Sequence, residues 1–465
     1  MMKILLINPL SLNHDYKYMQ YPLGLLYLKG VLKKDKHEVF IKDYTTNSPE
    51  NAKNEIISII KTESIDLVGL TCTTNNRASA FYLTKLIKEN FPQIKLVMGG
   101  IHATFLYKKI LENFPVDYIV LGEGEITFPE LLKSIDKKSD LKNIKGLAYK
   151  EKNEIVFTGF QSFMADLNSL PFPEHALFKD LINKSKTAFM MTSRGCPYGC
   201  VFCSTTLYWG RKWRARSAKN VVDEMEYIIK LFPDIGKITF HDDTFTVDNN
   251  RVIEICNEIL KRKILVKWDC SSRVDRISKE MLLKMKEAGC ISVTYGIESG
   301  SEKILKAIEK GITKEDIKKA LDATTEAGLD FNGYLMVGNP GETWDTIKET
   351  VEFLSQFKKL DIASVSRLEI YPNTQIYDIA KQKGVINDDY WISDKKPPIF
   401  TLEHSEEELT KMAYYIIYHN QIKKGIIRFS IFALDQSIKR PKRAINFVFS
   451  LFKKNKENST DETLD

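Results

Sequence analysis

The chain has 465 residues, 43% hydrophobic and 28% charged, a globular composition long enough to build its own core without a disulfide scaffold. Its formal charge of +7 is unevenly placed: residues 421–456 carry +9, the last nine carry −4 and residues 1–420 only +2. Global charge therefore makes no case for nucleic acid. No apolar run reaches the roughly 20 residues of a membrane span, and Asn8-Pro9 interrupts the N-terminal run too early for a signal peptide. A reducing cytoplasm is the expected location.

From residue 3 to about 145, short apolar runs alternate with helical spacing. KILLIN (3–8), HEVFIKD (37–43), IDLVGLT (65–71), KLVMGG (95–100) and DYIVLG (117–122) read as strands. Each is nearly continuous in apolar residues, as expected of parallel strands covered on both faces. Residues 24–34 and 78–91 show helical spacing between them. The alternation predicts a doubly wound, Rossmann-like α/β domain over residues 1–145, its crevice at the strand C-terminal ends. Those ends carry Asn8-Pro9, Thr71-Cys72-Thr73, Gly99-Gly100-Ile101-His102 and Gly122-Glu123-Gly124-Glu125. Small residues there let backbone approach a bulky ligand closely, although any single glycine pair also serves as a turn.

Residues 146–186 read as a hairpin followed by a linker marked by Pro171 and Pro173. From 187 to 385 the alternation resumes, with strands at 188–193, 237–242, 265–271, 292–298, 331–338 and 363–371. Six βα repeats suit a partial (β/α)6 barrel with polar residues at its strand C-termini. Residues 386–465 form a C-terminal region. Its helix over 405–424 is opened by a capping box of Ser405 and Glu408, and apolar residues then alternate with basic clusters. One reading is a helical cap on the barrel; the other is a basic amphipathic surface over 421–456 that rests on anionic lipid at the inner membrane surface and suits a lipid-like substrate.

The strongest signal is Arg194-Gly195-Cys196-Pro-Tyr-Gly-Cys200-Val-Phe202-Cys203, three thiols within eight residues directly after the strand at 188–193. Thiolates suit zinc or an iron–sulfur cluster. Structural zinc normally takes four protein ligands, commonly as two separated pairs, and no fourth ligand stands nearby. Three cysteines on one loop point to a [4Fe-4S] cluster with one iron left open. Cys256 lies at helical spacing among isoleucines and Cys290 opens a strand, so both read as buried thiols. Cys72 and Cys270 lie near crevice-facing strand ends.

With Phe202 just before its last cysteine, the triplet resembles the signature of radical S-adenosylmethionine (SAM) enzymes. His241-Asp242-Asp243-Thr244-Phe245, Ser272-Arg273-Val274-Asp275, Tyr295-Gly296-Ile297-Glu298-Ser299-Gly300 and Gly338-Asn339-Pro340-Gly341-Glu342-Thr343 resemble the subgroup that joins a cobalamin-binding domain to a radical SAM barrel. That subgroup includes anaerobic magnesium-protoporphyrin monomethyl ester cyclase and cobalamin-dependent methyltransferases, and the resemblance covers about residues 1–385. It implies Cys196, Cys200 and Cys203 as cluster ligands and Phe202 beside the adenine of SAM. It further implies Asp242, Asp243 and Thr244 at the SAM amino group, Arg273 at a carboxylate, Glu298 near the ribose or methionine moiety, and Gly338 and Gly341 in a loop passing the adenine.

For the first domain the resemblance implies cobalamin contacts from Asn8, Pro9, Thr71, Thr73, Gly99, Gly100, Gly122 and Glu123. His102 either faces the corrin or hydrogen-bonds the next loop. The Asp-x-His-x-x-Gly motif that supplies a cobalt-binding histidine is absent, so no histidine of that motif ligates the metal. No residue is singled out as a catalytic acid or base. The expected activity is reductive cleavage of SAM to a 5′-deoxyadenosyl radical and methylation of an unactivated carbon of a small-molecule or lipid-like substrate. A flavodoxin or ferredoxin would supply the electron, and no nucleic-acid partner is expected. The alternatives are oxidative cyclisation or rearrangement without methyl transfer, then an RNA-modifying enzyme, then a binding protein with a degenerate site.

Overall fold

The structure is a computed structural model in which residues 1–11, 20–45 and 48–423 are described. They divide into two compact units. One comprises Met1–Ser272, Arg276–Val293 and Glu369–Pro398; the other comprises Arg273–Asp275, Thr294–Leu368 and the residues from Ile399 onward.

The first unit opens with β1 (Lys3–Asn8), β2 (Glu38–Asp43), β3 (Leu67–Thr71), β4 (Lys95–Gly99) and β5 (Tyr118–Val120), all parallel. Helices α1 (Leu23–Lys34), α2 (Pro49–Thr62), α3 (Arg77–Asn90), α4 (Ile101–Asn113) and α5 (Gly124–Lys137) alternate with them. The continuous apolar runs follow from two separate cores. Leu5, Ile7, Val68, Leu70, Leu96 and Met98 fill one, whereas Ile4, Leu6, Leu67 and Val97 fill the other. Neighbouring residues of a strand point to opposite faces, so covering both faces demands apolar side chains at successive positions. The hairpin joins this sheet: β6 (Leu147–Glu151) pairs antiparallel with β5, and β7 (Glu154–Phe157) with β6. The sheet order is β2-β1-β3-β4-β5-β6-β7.

The second sheet begins in the same unit. There β8 (Thr187–Met190), β9 (Lys237–Phe240) and β10 (Lys267–Ser272) lie in parallel, with β10 neighbouring β11 (Cys290–Glu298). Helices α6 (Ala218–Leu231), α7 (Asn249–Lys261) and α8 (Lys279–Glu287) intervene. The chain passes between units within β11. In the second unit β11 neighbours β12 (Asp330–Val337), which pairs parallel with β13 (Asp361–Arg367). Helices α9 (Lys314–Glu326), α10 (Trp344–Ser355) and α11 (Glu406–Lys423) belong here. Six strands follow in sequential order, as a partial (β/α)6 barrel requires.

At the start of α11 the Ser405 hydroxyl accepts from the Glu408 N–H at 3.2 Å. The Glu408 carboxylate turns to the Trp344 indole and to His404. No described helix is long and apolar enough to cross a membrane. The lipid-facing reading of 421–456 falls almost wholly outside the described residues.

One side chain ties the two sheets of the first unit. The Tyr21 hydroxyl donates to the Phe189 carbonyl at 3.0 Å and accepts from the Phe189 N–H at 2.9 Å. It also meets His175 Nδ1 at 2.9 Å, and His175 Nε2 lies 3.1 Å from Glu224, which Arg216 binds in turn. Tyr21→Phe takes away the bonding partner of two peptide groups and a buried imidazole. It is expected to cost about 1–3 kcal/mol, read as a lower urea midpoint with an unchanged m-value.

Candidate functional site

The cysteine loop leaves β8 through a sharp turn. Gly195 has φ +88°, and a Cβ there would lie 2.1 Å from the Lys212 carbonyl oxygen, so only glycine fits. Asp242, at the end of β9, holds the residues before the turn. Its carboxylate accepts from the Thr192 N–H at 2.6 Å, the Thr192 hydroxyl at 2.5 Å and the Ser193 hydroxyl at 2.6 Å. Asp242 is buried and its acceptors are engaged inside the protein. It positions the loop, whereas the sequence placed it at SAM.

Asp243 does the opposite. Its side chain accepts from the Gly195 N–H at 3.1 Å yet the residue stays exposed, and partial enclosure pushes its carboxyl up to about 6 while that N–H pulls it down. The Thr244 hydroxyl donates to the Asp243 carbonyl and stands 3.6 Å from Cys196 Sγ. Burial also pushes the Cys196 thiol up, against hydrogen bonds from the Tyr198 N–H and Thr244. Cys196, Phe202 and Cys203 are half-buried on this loop, as is Cys200. Among the described residues no trio of His, Cys, Asp or Glu is drawn into a closed ion site. The chain supplies three soft ligands on one glycine-turned loop, a donor set that fits a cluster with an open iron.

Arg194, one residue before the turn, carries the other anchor. Its guanidinium bonds Glu123 at 2.7 Å and Glu125 at 2.6 Å, and Arg214 adds bonds to Glu123 at 2.8 and 3.1 Å. Arg194, Glu123 and Glu125 are all buried. Burial alone raises the Glu123 carboxyl, yet Arg214 and Arg194 hold it below the usual carboxylate range. Charges taken out of water in this way must be paired. The sequence reading missed both arginines as partners, although Arg194 stands inside the quoted motif.

Beside this network lies a cavity of about 490 Å³ at the C-terminal end of the first sheet. Asn8, Thr71, Gly99, Gly100, Gly122 and Glu123 border it, as the sequence anticipates. Gly122 has φ +71°, and a Cβ there or on Gly24 would project into open space. The largely apolar wall and the bare backbone at these glycines suit a flat, bulky ligand such as a corrin. Pro9 and Thr73 are not among the bordering residues; the Thr73 N–H bonds Asn76. The Asn8 amide is itself held by Asp43 and Thr45, each at 3.0 Å.

His102 requires a correction. It is wholly buried, with Nδ1 3.1 Å from the Thr74 hydroxyl and Nε2 3.0 Å from the Trp391 carbonyl. Burial drives its pKa down to about 3. It therefore bonds the neighbouring loops and does not face the cavity.

The remaining expected SAM contacts lie in the second unit. Glu298 ends β11 at φ +64°, a region few non-glycine residues enter, and accepts from Lys310 Nζ at 2.8 Å. Arg273 donates to Asp275 at 2.8 Å and to the Lys310 carbonyl at 2.7 Å. Gly338 and Gly341 lie in a loop around buried Glu342, which accepts from the Gly338 N–H at 2.6 Å. Burial pushes Glu342 up to about 7 despite the N–H groups of Asn339 and Gly338. The Gly341 N–H bonds Glu403 at 2.8 Å.

A glycine-turned loop of three thiols at the strand ends of a parallel partial barrel, joined to a doubly wound domain with its own cavity, fits an α/β enzyme with an iron–sulfur site and a second ligand site. The family model of the radical SAM superfamily matches residues 190–354, and that of the B12 binding domain matches residues 11–132. An uncharacterized methyltransferase, PH0819, of Pyrococcus horikoshii is 34% identical over 85% of this chain and 87% of its own. Anaerobic magnesium-protoporphyrin IX monomethyl ester cyclase of Rubrivivax gelatinosus is 30% identical over 77% of this chain and 65% of its own. The solved structure of OxsB, a cobalamin-dependent S-adenosylmethionine radical enzyme with aqua-cobalamin and S-adenosylmethionine bound, shares the fold. It matches with TM-score 0.74 and 20% identity, over all of this chain and 76% of that one. The chain belongs to the radical SAM superfamily, in the family that carries a B12-binding domain.

Two outcomes follow. Cys200→Ala removes one of the three thiols and is expected to retain far less iron and sulfide after anaerobic reconstitution, with circular dichroism unchanged. Arg194→Met leaves Glu125 buried and unpaired, and should lower unfolding stability by about 3–5 kcal/mol in urea titration.

Proposed function

We propose that the chain methylates an unactivated carbon of a small-molecule or lipid-like substrate, using a [4Fe-4S] cluster, SAM and cobalamin. The observation that carries this reading is the pairing, within one unit, of the three-thiol loop with the largely apolar cavity of about 490 Å³, joined by Arg194. The methyltransferase of Pyrococcus horikoshii, matched along most of both chains, supports it.

When bound, the cluster supplies the electron that cleaves SAM, and the corrin supplies a transferable methyl group. Cys196, Cys200 and Cys203 would hold the iron. Asp243 and Thr244, beside Cys196, would meet the ammonium group of SAM, while Asp242 holds Thr192 and Ser193 at the start of the cysteine loop. Arg273 meets a carboxylate, Glu298 the ribose or methionine portion, and the loop of Gly338 and Gly341 passes the adenine. Phe202 would pack against the adenine ring. A flavodoxin- or ferredoxin-type protein in the cytoplasm would supply the electron for the bound cluster.

The cyclase of Rubrivivax gelatinosus favours a second reading, radical oxidation or cyclisation without methyl gain. Product analysis separates the two. Anaerobically reconstituted holoenzyme is given methyl-deuterated SAM and an extract of small molecules and lipids. Methyl transfer yields S-adenosylhomocysteine alongside 5′-deoxyadenosine and a product carrying CD3 in place of one hydrogen. Formation of 5′-deoxyadenosine alone, with no label in any product, overturns methyl transfer for the cyclase reading.

A further inference from the structure

Six of the seven histidines fall in the described residues, and five have a ring nitrogen in a hydrogen bond. His37 accepts from the Met2 N–H, His102 and His175 are bonded at both nitrogens, and His404 and His419 each meet a backbone carbonyl. Among the described residues His241 alone has no hydrogen bond to either ring nitrogen.

Its position is nonetheless fixed. The His241 N–H donates to the Met190 carbonyl at 2.8 Å, and its ring stands edge-on to Phe189 at 6.4 Å and 80°. The side chain borders the cavity at the end of the first sheet and is exposed into it. Partial enclosure lowers its pKa, so at neutral pH the imidazole keeps a lone pair. The other side-chain nitrogens of that wall belong to Asn8, Gln20, Arg194 and Trp209. Amide, guanidinium and indole nitrogens are donors only. His241 therefore brings the one nitrogen lone pair that a described side chain offers to this cavity, at a position outside the family motif for cobalt-binding histidine.

We propose that His241 is the nitrogen donor this cavity presents to the axial position of a bound corrin, either to the metal itself or to the water coordinated there. The proposal rests on the cobalamin reading above. It assigns a contact from the strand that also carries Asp242 and Asp243, so the corrin and the cysteine loop are addressed by adjacent residues at the end of β9.

The test loads wild type, His241→Ala and His241→Gln with hydroxocobalamin under anaerobic conditions, with His37→Ala as a control away from the cavity. Cluster iron content checks the fold independently of the corrin. Loss of one such contact is expected to weaken corrin retention about tenfold in His241→Ala, a change typical of a group bonded to a metal ligand. The spectroscopic signature is decisive. Direct ligation makes the nitrogen splitting in the Co(II) electron paramagnetic resonance spectrum change when the protein carries 15N-histidine. Contact through water shifts the aquacobalamin absorption band between wild type and His241→Ala, with His241→Gln restoring part of the shift. A corrin held equally by His241→Ala, with the same bands and no 15N effect, overturns the assignment while leaving the cobalamin reading intact. Failure of every form to retain corrin overturns both.

Discussion

The structure turns on a guanidinium that cannot lose its charge and has been taken out of water. Arg194 is buried with Glu123 and Glu125, and Arg214 completes the pairing. A charge in that position is tolerated only with its partners in place, so the loop after β5 and the loop after β8 have one mutual arrangement. The turn at Gly195 then starts from a fixed point, and the direction in which the three cysteines leave β8 is set by carboxylates of the first sheet. Asp242 fixes the same few residues through Thr192 and Ser193. The thiol loop is thus clamped on two sides, one ionic and one by neutral hydrogen-bond donors.

Periodicity made the strands readable to within a few residues at their ends: 117–122 is observed as Tyr118–Val120 and 363–371 as Asp361–Arg367. KILLIN is β1 from end to end because both of its faces are covered, a requirement written directly in consecutive apolar residues. The cysteine loop was legible for a related reason: its chemistry is carried by spacing within eight residues. What escaped is partner choice over long distances. Tyr21 and His175 are 154 positions apart, and His102 and the Trp391 carbonyl 289 apart, so no local pattern contains the pair. The hairpin at 146–159 was readable as a hairpin, but its union with β5 depends on edge pairing that composition does not record.

Asp242 and Asp243 show how narrow the margin is. Two identical side chains, one residue apart, differ in that one is buried in the protein and the other is exposed. The first becomes scaffold and the second stays available to a ligand, with a carboxyl that burial makes less acidic. Sequence names the residue type and the strand end; only the pleat assigns the work. Glu298 carries a similar lesson in its backbone. A β-strand ending on a non-glycine residue at φ +64° is held there by its surroundings, Lys310 among them, and not by its own preference.

The Tyr21 bond has a consequence for how the chain is made. Synthesis proceeds from the N-terminus, and domains fold largely as they emerge. Strands β1 to β5 can assemble as soon as about residue 120 has left the ribosome. The hydroxyl of Tyr21, however, waits for Phe189, and the carboxylates of Glu123 and Glu125 wait for Arg194. Through that interval the nascent domain presents an unfinished, partly apolar mouth with unpaired acids at its rim. The pocket is consequently the last part of the first sheet to mature, and nascent chains halted before about residue 195 would hold the domain without its binding site.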